Sequence, residues 1–478
     1  MSALLPVIGG FLMILGASQI FSVLWSVYYR EEGTHALLVS MLIPLVLGSV
    51  IFVLTRRRKK ELTQSEGFAA VAICWILAAL FGAFPFYLTG TLPNFIDAVF
   101  ESASGFTTTG ASVLTNIEAT QKGVLFWRSF THFLGGMGII LLSIAILPLV
   151  GVGGMQLYKA EVPGPVAEKL KPRLAHTAKI LWTVYVLLNA VETVLLMLGG
   201  MPLFDALCHA FGTMATGGFS TKSASIGHYG PYVQFVVAIF MIAAGTNFAL
   251  HFAALKGRPK VYLNDPEARF YFKFIFVSVA VYTMVLWAVK GESLFTAFRH
   301  AFFQVPAIIT TTGYANVDFE LWPPVLVTGL FLFMFVGGCA GSTGGGLKMV
   351  RVMLLFKQAY EELYKVVHPR AVRVVKLGDR VVDPAILRSV ANLFILWILI
   401  FAVASMVLAA TGLDFVSALA AAIANLGNIG PGFGSVGPTD NYAHLHWLAK
   451  IVCIICMLAG RLEIYAILIL FIPAFWRR

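Results

Sequence analysis

The sequence predicts an all-α polytopic membrane protein with ten spans and four shorter helices that dip into the bilayer and return. Three observations lead there. Hydrophobic residues make up 59% of the 478 residues and charged residues only 12%, about half the charged share of a soluble domain. Ten stretches reach the roughly 20 apolar residues that a bilayer-crossing helix needs. Between the later spans, four short polar stretches recur, each built on a glycine: Gly110, Gly218, Gly313 and Gly430.

Taken in order, residues 1–65 read as a two-helix hairpin with spans at 3–29 and 36–55. The first span carries no basic leader and no small-residue cleavage site, so it reads as a helix and not a signal peptide. A first repeat occupies 66–150, with spans at 67–90 and 125–150. A second occupies 178–255, with spans at 178–199 and 231–255. The third, 270–355, has spans at 270–289 and 323–355, and the fourth, 385–478, at 385–411 and 444–475. Within each repeat, the two spans flank an apolar stretch too short to cross, which leads into a glycine loop. An alanine stands twelve positions before each glycine, at Ala98, Ala206, Ala301 and Ala418. Asp97, Asp205 and Asp414 mark the helix starts in three repeats, because acids favour helix N-termini. The unit is span, half-helix, extended loop, span, repeated four times.

Charge sets the orientation. Lys and Arg number 34 against 23 acids, a net charge of +11. With both termini cytoplasmic, 26 of the 34 fall in inner segments: 55–62, 150–180, 256–273, 348–388 and the C-terminus. Arg30, Lys122, Arg128, Lys222, Lys290 and Arg299 fall outside, and Lys450 and Arg461 lie in the last hairpin. Inner loops carry the basic residues in membrane proteins, so the opposite orientation is rejected and nucleic acid is not needed to explain the charge. The five cysteines lie in or beside apolar segments without metal-ligand spacing, and Cys453 and Cys456 read as packing residues. No nucleophile–base set or phosphorylation loop is present, so an enzyme is not expected. The 341–348 run departs from the Walker pattern, and no GxGxxG unit supplies a nucleotide site.

Backbone at membrane depth must be hydrogen-bonded or line a wet cavity. The four stretches Thr108-Thr109-Gly110-Ala111, Thr216-Gly217-Gly218-Phe219, Thr311-Thr312-Gly313-Tyr314 and Asn428-Ile429-Gly430-Pro431 resemble the TVGYG loops whose carbonyl rings replace the hydration shell of a potassium ion. Glycine tolerates the backbone angles this requires. The stretches contain no Asp or Glu, which argues against a carboxylate ring. The half-helices aim their negative dipole ends at the site, which suits a cation. The competing reading is a transporter with substrate at helix breaks. Such folds usually show two related interruptions, so four favour a pore.

Two further features suggest a gate. Gly337, Gly338, Gly341, Ser342, Thr343, Gly344, Gly345 and Gly346 fall in the eighth span. Each glycine costs a helix about 1 kcal/mol relative to alanine, so the span should break into two halves joined by a flexible loop; the alternative is a packing kink. Arg461, followed by Glu463, lies in the last span. A charge at that depth faces a cavity or a partner, and residues two apart on a helix do not face each other. A bond from Arg461 to a carbonyl is the competing reading. Glu192, Asn247, His251 and His132 read as interhelical hydrogen-bond partners.

The four loops, the N-terminal hairpin, Gly341–Gly346 and the GRLEIY run at 460–465 carry a resemblance to the TrkH-type subunit of bacterial potassium uptake systems, within the Trk/Ktr/HKT superfamily. It covers essentially the whole chain. The resemblance implies four M1-P-M2 repeats around one pseudo-four-fold pore, a homodimer, and a place in the bacterial inner membrane. It implies potassium as substrate, no cofactor bound by this chain, and a cytosolic TrkA-like nucleotide-binding ring docked on the inner surface. It also implies that the 341–346 loop is a movable barrier below the filter and that Arg461 projects into the path and repels cations. A glycine in every loop goes with potassium selectivity in this family. Ala111, Asn428 and Pro431 depart from TVGYG, so the filter should discriminate less sharply than a tetrameric channel. The alternative function is a secondary potassium symporter coupled to protons or sodium.

Overall fold

The apolar stretches fold as helices because a chain in lipid must satisfy its backbone groups internally. The structure, a computed structural model, describes residues 4–55, 64–145, 170–371, 373–462 and 464–468. Helices α1 (Leu4–Ser18), α2 (Ile20–Tyr28) and α3 (Thr34–Thr55) form the N-terminal hairpin. Small residues bring its backbones together: a Cβ added to Gly48 would lie 2.7 Å from Gly9 O, and one added to Gly16 2.7 Å from Leu45 N. Close glycine contact is how helices associate without a hydrophobic drive from water.

The chain continues through α4 (Gln64–Phe81), α5 (Phe84–Leu88), α6 (Phe95–Phe106) and α7 (Lys122–Ala145). Then come α8 (Leu170–Leu198), α9 (Leu203–Met214), α10 (Pro231–Ala244), α11 (Phe248–Leu255) and the short α12 (Val261–Asn264). They are followed by α13 (Pro266–Lys290), α14 (Leu294–Ile309), α15 (Pro324–Phe333) and α16 (Met349–Val367). A two-stranded hairpin, β1 (Lys376–Leu377) and β2 (Arg380–Val381), pairs Lys376 with Val381. The last helices are α17 (Pro384–Ala410), α18 (Phe415–Leu426), α19 (Trp447–Arg461) and α20 (Tyr465–Leu468). Six stretches among the described residues are long and apolar enough to cross a membrane, or seven if α10 and α11 count as one bent span.

The structure departs from the sequence expectation at two places. Residues 231–255, read as one span, are two helices bent by 104°. Asn247 caps α11 by accepting Ala249 N at 2.9 Å. The freed backbone groups find partners in a distant segment: Cys339 N donates to Gly245 O at 2.8 Å and Phe248 N to Gly341 O at 3.1 Å. Asp97 and Asp205 lie in the first turns of α6 and α9, as expected of acids at the helix starts, while Asn94 and Pro202 hold the cap positions themselves. Asp97 is drawn to Lys450, at 2.6 Å, and Asp205 accepts the Thr221 hydroxyl at 2.7 Å. Asp414 does cap α18, accepting from Val416 N and Ser417 N, and Ser293 caps α14. The second departure is that the helix after the glycine run extends to Val367, beyond the predicted end of the eighth span. Glu463, the basic run at 56–60, residues 146–169 and the basic C-terminal end lie outside the described residues.

Candidate ion pathway

Helices α6, α9, α14 and α18 each stop just short of a glycine loop, and the four loops share one backbone. Thr108 (φ 51°), Thr216 (57°), Thr311 (61°) and Asn428 (55°) are all left-handed. Two positions on, Gly110 (85°), Gly218 (78°), Gly313 (74°) and Gly430 (99°) are left-handed again. The amide between them turns back to its helix: Thr109 N to Ser104 O (2.9 Å), Gly217 N to Gly212 O (2.7 Å), Thr312 N to Ala307 O (2.9 Å) and Ile429 N to Ala424 O (2.8 Å). A non-glycine residue in this region is costly. Its recurrence at the same register four times marks a conformation the site demands.

The loops close a ring. A Cβ on Gly110 would lie 2.1 Å from Gly217 O, on Gly218 2.1 Å from Thr312 O, on Gly313 1.7 Å from Ile429 O, and on Gly430 2.6 Å from Thr109 O. Each glycine thus abuts the carbonyl before the next loop's glycine, and the fourth returns to the first. Backbone angle and space both restrict these positions to glycine. Thr108, Thr109, Ala111, Thr216, Phe219, Thr311, Thr312, Tyr314, Asn428 and Ile429 are buried around the ring. Gly217 is buried too, while Pro431 is partly open. Above the glycines a cavity of about 100 Å³ opens past Pro431, Lys222 and Asp440.

Side chains behind the ring hold it from outside. Tyr314 donates its hydroxyl to Phe219 O at 3.1 Å, and Tyr442 to Gly430 O at 2.8 Å. Asn428 donates from Nδ2 to Thr109 Oγ1 at 3.0 Å, which ties the fourth loop to the first. Arg128, an outer basic residue by its place in the sequence, is 2% exposed. It pairs with Glu101 at 2.6 Å, donates to Ser220 O at 2.9 Å and lies over the Phe219 ring. Glu101 also accepts Ser112 Oγ and Val113 N, each at 2.9 Å. One buried ion pair therefore positions the chain just beyond two glycines. Sequence reasoning missed it; two charges inside otherwise apolar stretches were the available signal.

Below the ring lies the glycine run. The segment from 334 to 348 is not helical and is pinched at its base, with Gly337 N donating to Leu347 O at 2.8 Å and Met349 N to Gly338 O at 3.0 Å. Gly341 (φ 74°) and Gly346 (62°) are left-handed, and Ser342 donates its hydroxyl to Cys339 O at 2.6 Å. Its tip touches the ends of three half-helices. Thr343 donates its hydroxyl to Met214 O at 2.9 Å. A Cβ on Gly344 would lie 3.1 Å from Thr310 O and one on Gly345 2.6 Å from Gly427 O. Gly345 N also donates to Thr311 Oγ1 at 2.7 Å.

Arg461 ends α19 at the same place. It is 3% exposed and donates from Nη1 to Thr343 O at 2.8 Å. Its Nε and Nη2 have no hydrogen-bond partner among the described residues. The competing carbonyl contact is therefore present, but the carbonyl belongs to the glycine segment. The two sequence features meet 118 residues apart. Among the other buried polar residues, His251 bonds Tyr262 Oη and Ala243 O, both at 2.8 Å. Neither ring nitrogen of His132 has a hydrogen-bond partner among the described residues, and Glu192 faces Thr213 of α9 from beyond normal hydrogen-bond distance. His132 instead stacks on Phe219, ring centres 4.1 Å apart.

Comparison with known proteins agrees with this geometry. The family model described as TrkH, cation transport protein, matches residues 34–478. The chain is 43% identical to the Trk system potassium uptake protein TrkH of Salmonella typhimurium, with 99% of each chain covered. It is 37% identical to the Trk system potassium uptake protein TrkG of Escherichia coli, covering 98% of this chain and 97% of the relative. The crystal structure of the potassium transporter TrkH from Vibrio parahaemolyticus superposes with a TM-score of 0.92 at 36% identity, covering 100% of this chain and 99% of the other. The chain is thus an integral membrane protein that belongs to the TrkH family of cation transport proteins.

Proposed function

We propose that this chain conducts potassium across the bacterial inner membrane, as a channel-like pore with the four glycine loops as its filter. The observation that carries the reading is the closed ring of left-handed glycines, each against the next loop's carbonyl. Four backbone carbonyls facing one axis can replace water around a monovalent cation. The relatives named as potassium uptake proteins support potassium as the substrate. The full architecture is ten spans with α6, α9, α14 and α18 re-entrant: an N-terminal hairpin at 1–65, then pore repeats at 66–150, 178–255, 270–355 and 385–478. Both termini are cytoplasmic, two copies form the homodimer, and a cytosolic TrkA-like ring bears on the inner face. The protein is not an enzyme and holds no cofactor.

The 337–346 segment and Arg461 are the gate. The segment blocks the space under three half-helices, and an arginine with one carbonyl for company repels an approaching cation. The testing experiment is rubidium uptake into potassium-loaded liposomes containing the chain alone. Uptake carried by potassium and rubidium but poorly by sodium and lithium, reversing at the potassium equilibrium potential, supports the pore. Flux that reverses at a potential set jointly by protons or sodium assigns the chain to the coupled symporters instead.

A further inference from the structure

Apart from the contacts at its tip, the glycine segment is held near its feet by two further supports. One is backbone, the break between α10 and α11, bonded to Cys339 N and Gly341 O. The other is a single carboxylate. Glu267, the second residue of α13, is 9% exposed. Its Oε1 accepts Ala340 N at 2.7 Å and Val350 N at 3.0 Å. Those amides stand on either side of 341–349, so one oxygen closes the segment into a loop. An acid in the first turn of a helix ordinarily serves its own helix. Here Asp265 performs that task, accepting Ala268 N at 2.8 Å, and Glu267 is left to face the segment. Lys348, also beside Glu267, reaches Gly344 O from within the loop.

We propose that Glu267 is the positioning residue of the gate: its carboxylate holds both feet of the glycine loop under the filter, and losing that hold lets the loop leave the path. The proposal rests on the gate reading above. Because both bonds use the same oxygen, a glutamine in its place keeps both, while an aspartate falls one methylene short.

The test is rubidium flux through the reconstituted full chain. Glu267→Ala should raise flux about tenfold or more, Glu267→Asp should also leak, and Glu267→Gln should stay within about threefold of the parent. In a chain also lacking 344–346, Glu267→Ala should add nothing, because the loop it holds is already shortened. If Glu267→Ala stays tight while Arg461→Ala or the shortened loop leaks, the latch is overturned and the gate reading stands. If none of the three leaks, the gate reading itself falls. Equal leak from Gln and Ala, or full additivity with the shortened loop, also overturns the latch. Should Glu267→Ala fail to reconstitute, the order of Asp against Gln decides the question.

Discussion

Replacing Arg461 tests the gate most directly. Its guanidinium lies 2.8 Å from Thr343 O, and a cation on the far side of that carbonyl would sit roughly 6 Å from the charge. At an effective dielectric of about 20, two unit charges at that separation repel by about 2–3 kcal/mol. Removing the charge should therefore raise cation flux through the isolated chain by roughly 30- to 150-fold, at 1.4 kcal/mol per tenfold. The assay is initial-rate rubidium uptake into potassium-loaded liposomes, normalised to reconstituted protein. Arg461→Ala removes the bond to Thr343 O together with the charge, so Arg461→Gln is the decisive partner. It keeps donors near the carbonyl and loses only the charge. Both variants should raise the flux, and Arg461→Lys should keep the parent's rate. If Gln stays as tight as the parent while Ala leaks, the tether and not the electrostatic barrier does the work. If neither leaks, the arithmetic is wrong at its root.

Three other perturbations follow from the ring. Gly110→Ser sets a Cβ 2.1 Å from Gly217 O; the ring must distort, and the potassium-to-sodium permeability ratio from bi-ionic reversal potentials should fall about tenfold or more. Glu101→Ala strands Arg128, which is 2% exposed; unpairing a buried ion costs about 3–5 kcal/mol, to be read as a clear drop in the thermal midpoint of the detergent-solubilised protein. Tyr442→Phe deletes the bond to Gly430 O at 2.8 Å, worth about 1 kcal/mol; it should leave the fold intact and lower selectivity modestly, and an unchanged permeability ratio would mean the fourth loop needs no such brace.

Some features of the pathway are local and so visible along the chain. The recurrence of Ala98, Ala206, Ala301 and Ala418 at one distance from a glycine reports a shared register at the helix ends, although α14 begins about a turn earlier than the others. The density of glycine at 337–346 reports a place where helix is unfavourable. Other features leave no local trace. The bend between α10 and α11 was missed because Asn247 and Gly245 look unremarkable without the partners Gly341 and Cys339. The partners of the two first-turn acids, Lys450 for Asp97 and Thr221 for Asp205, are likewise set only by packing.

What the sequence by itself determined is the solvent, the helical character of the apolar stretches and the register of the four loops. These follow from apolar content, the thickness of a bilayer and the backbone freedom of glycine, all properties of short segments. The tertiary structure alone decided which groups meet. Asn428 reaches Thr109 across 319 residues, Thr343 reaches Arg461 across 118, and Glu101 and Arg128 face each other across 27. Charged and polar side chains in a low-dielectric interior take whichever partner packing brings within 3 Å. That choice depends on how the four glycine loops pack against one another, which no single stretch of the chain encodes.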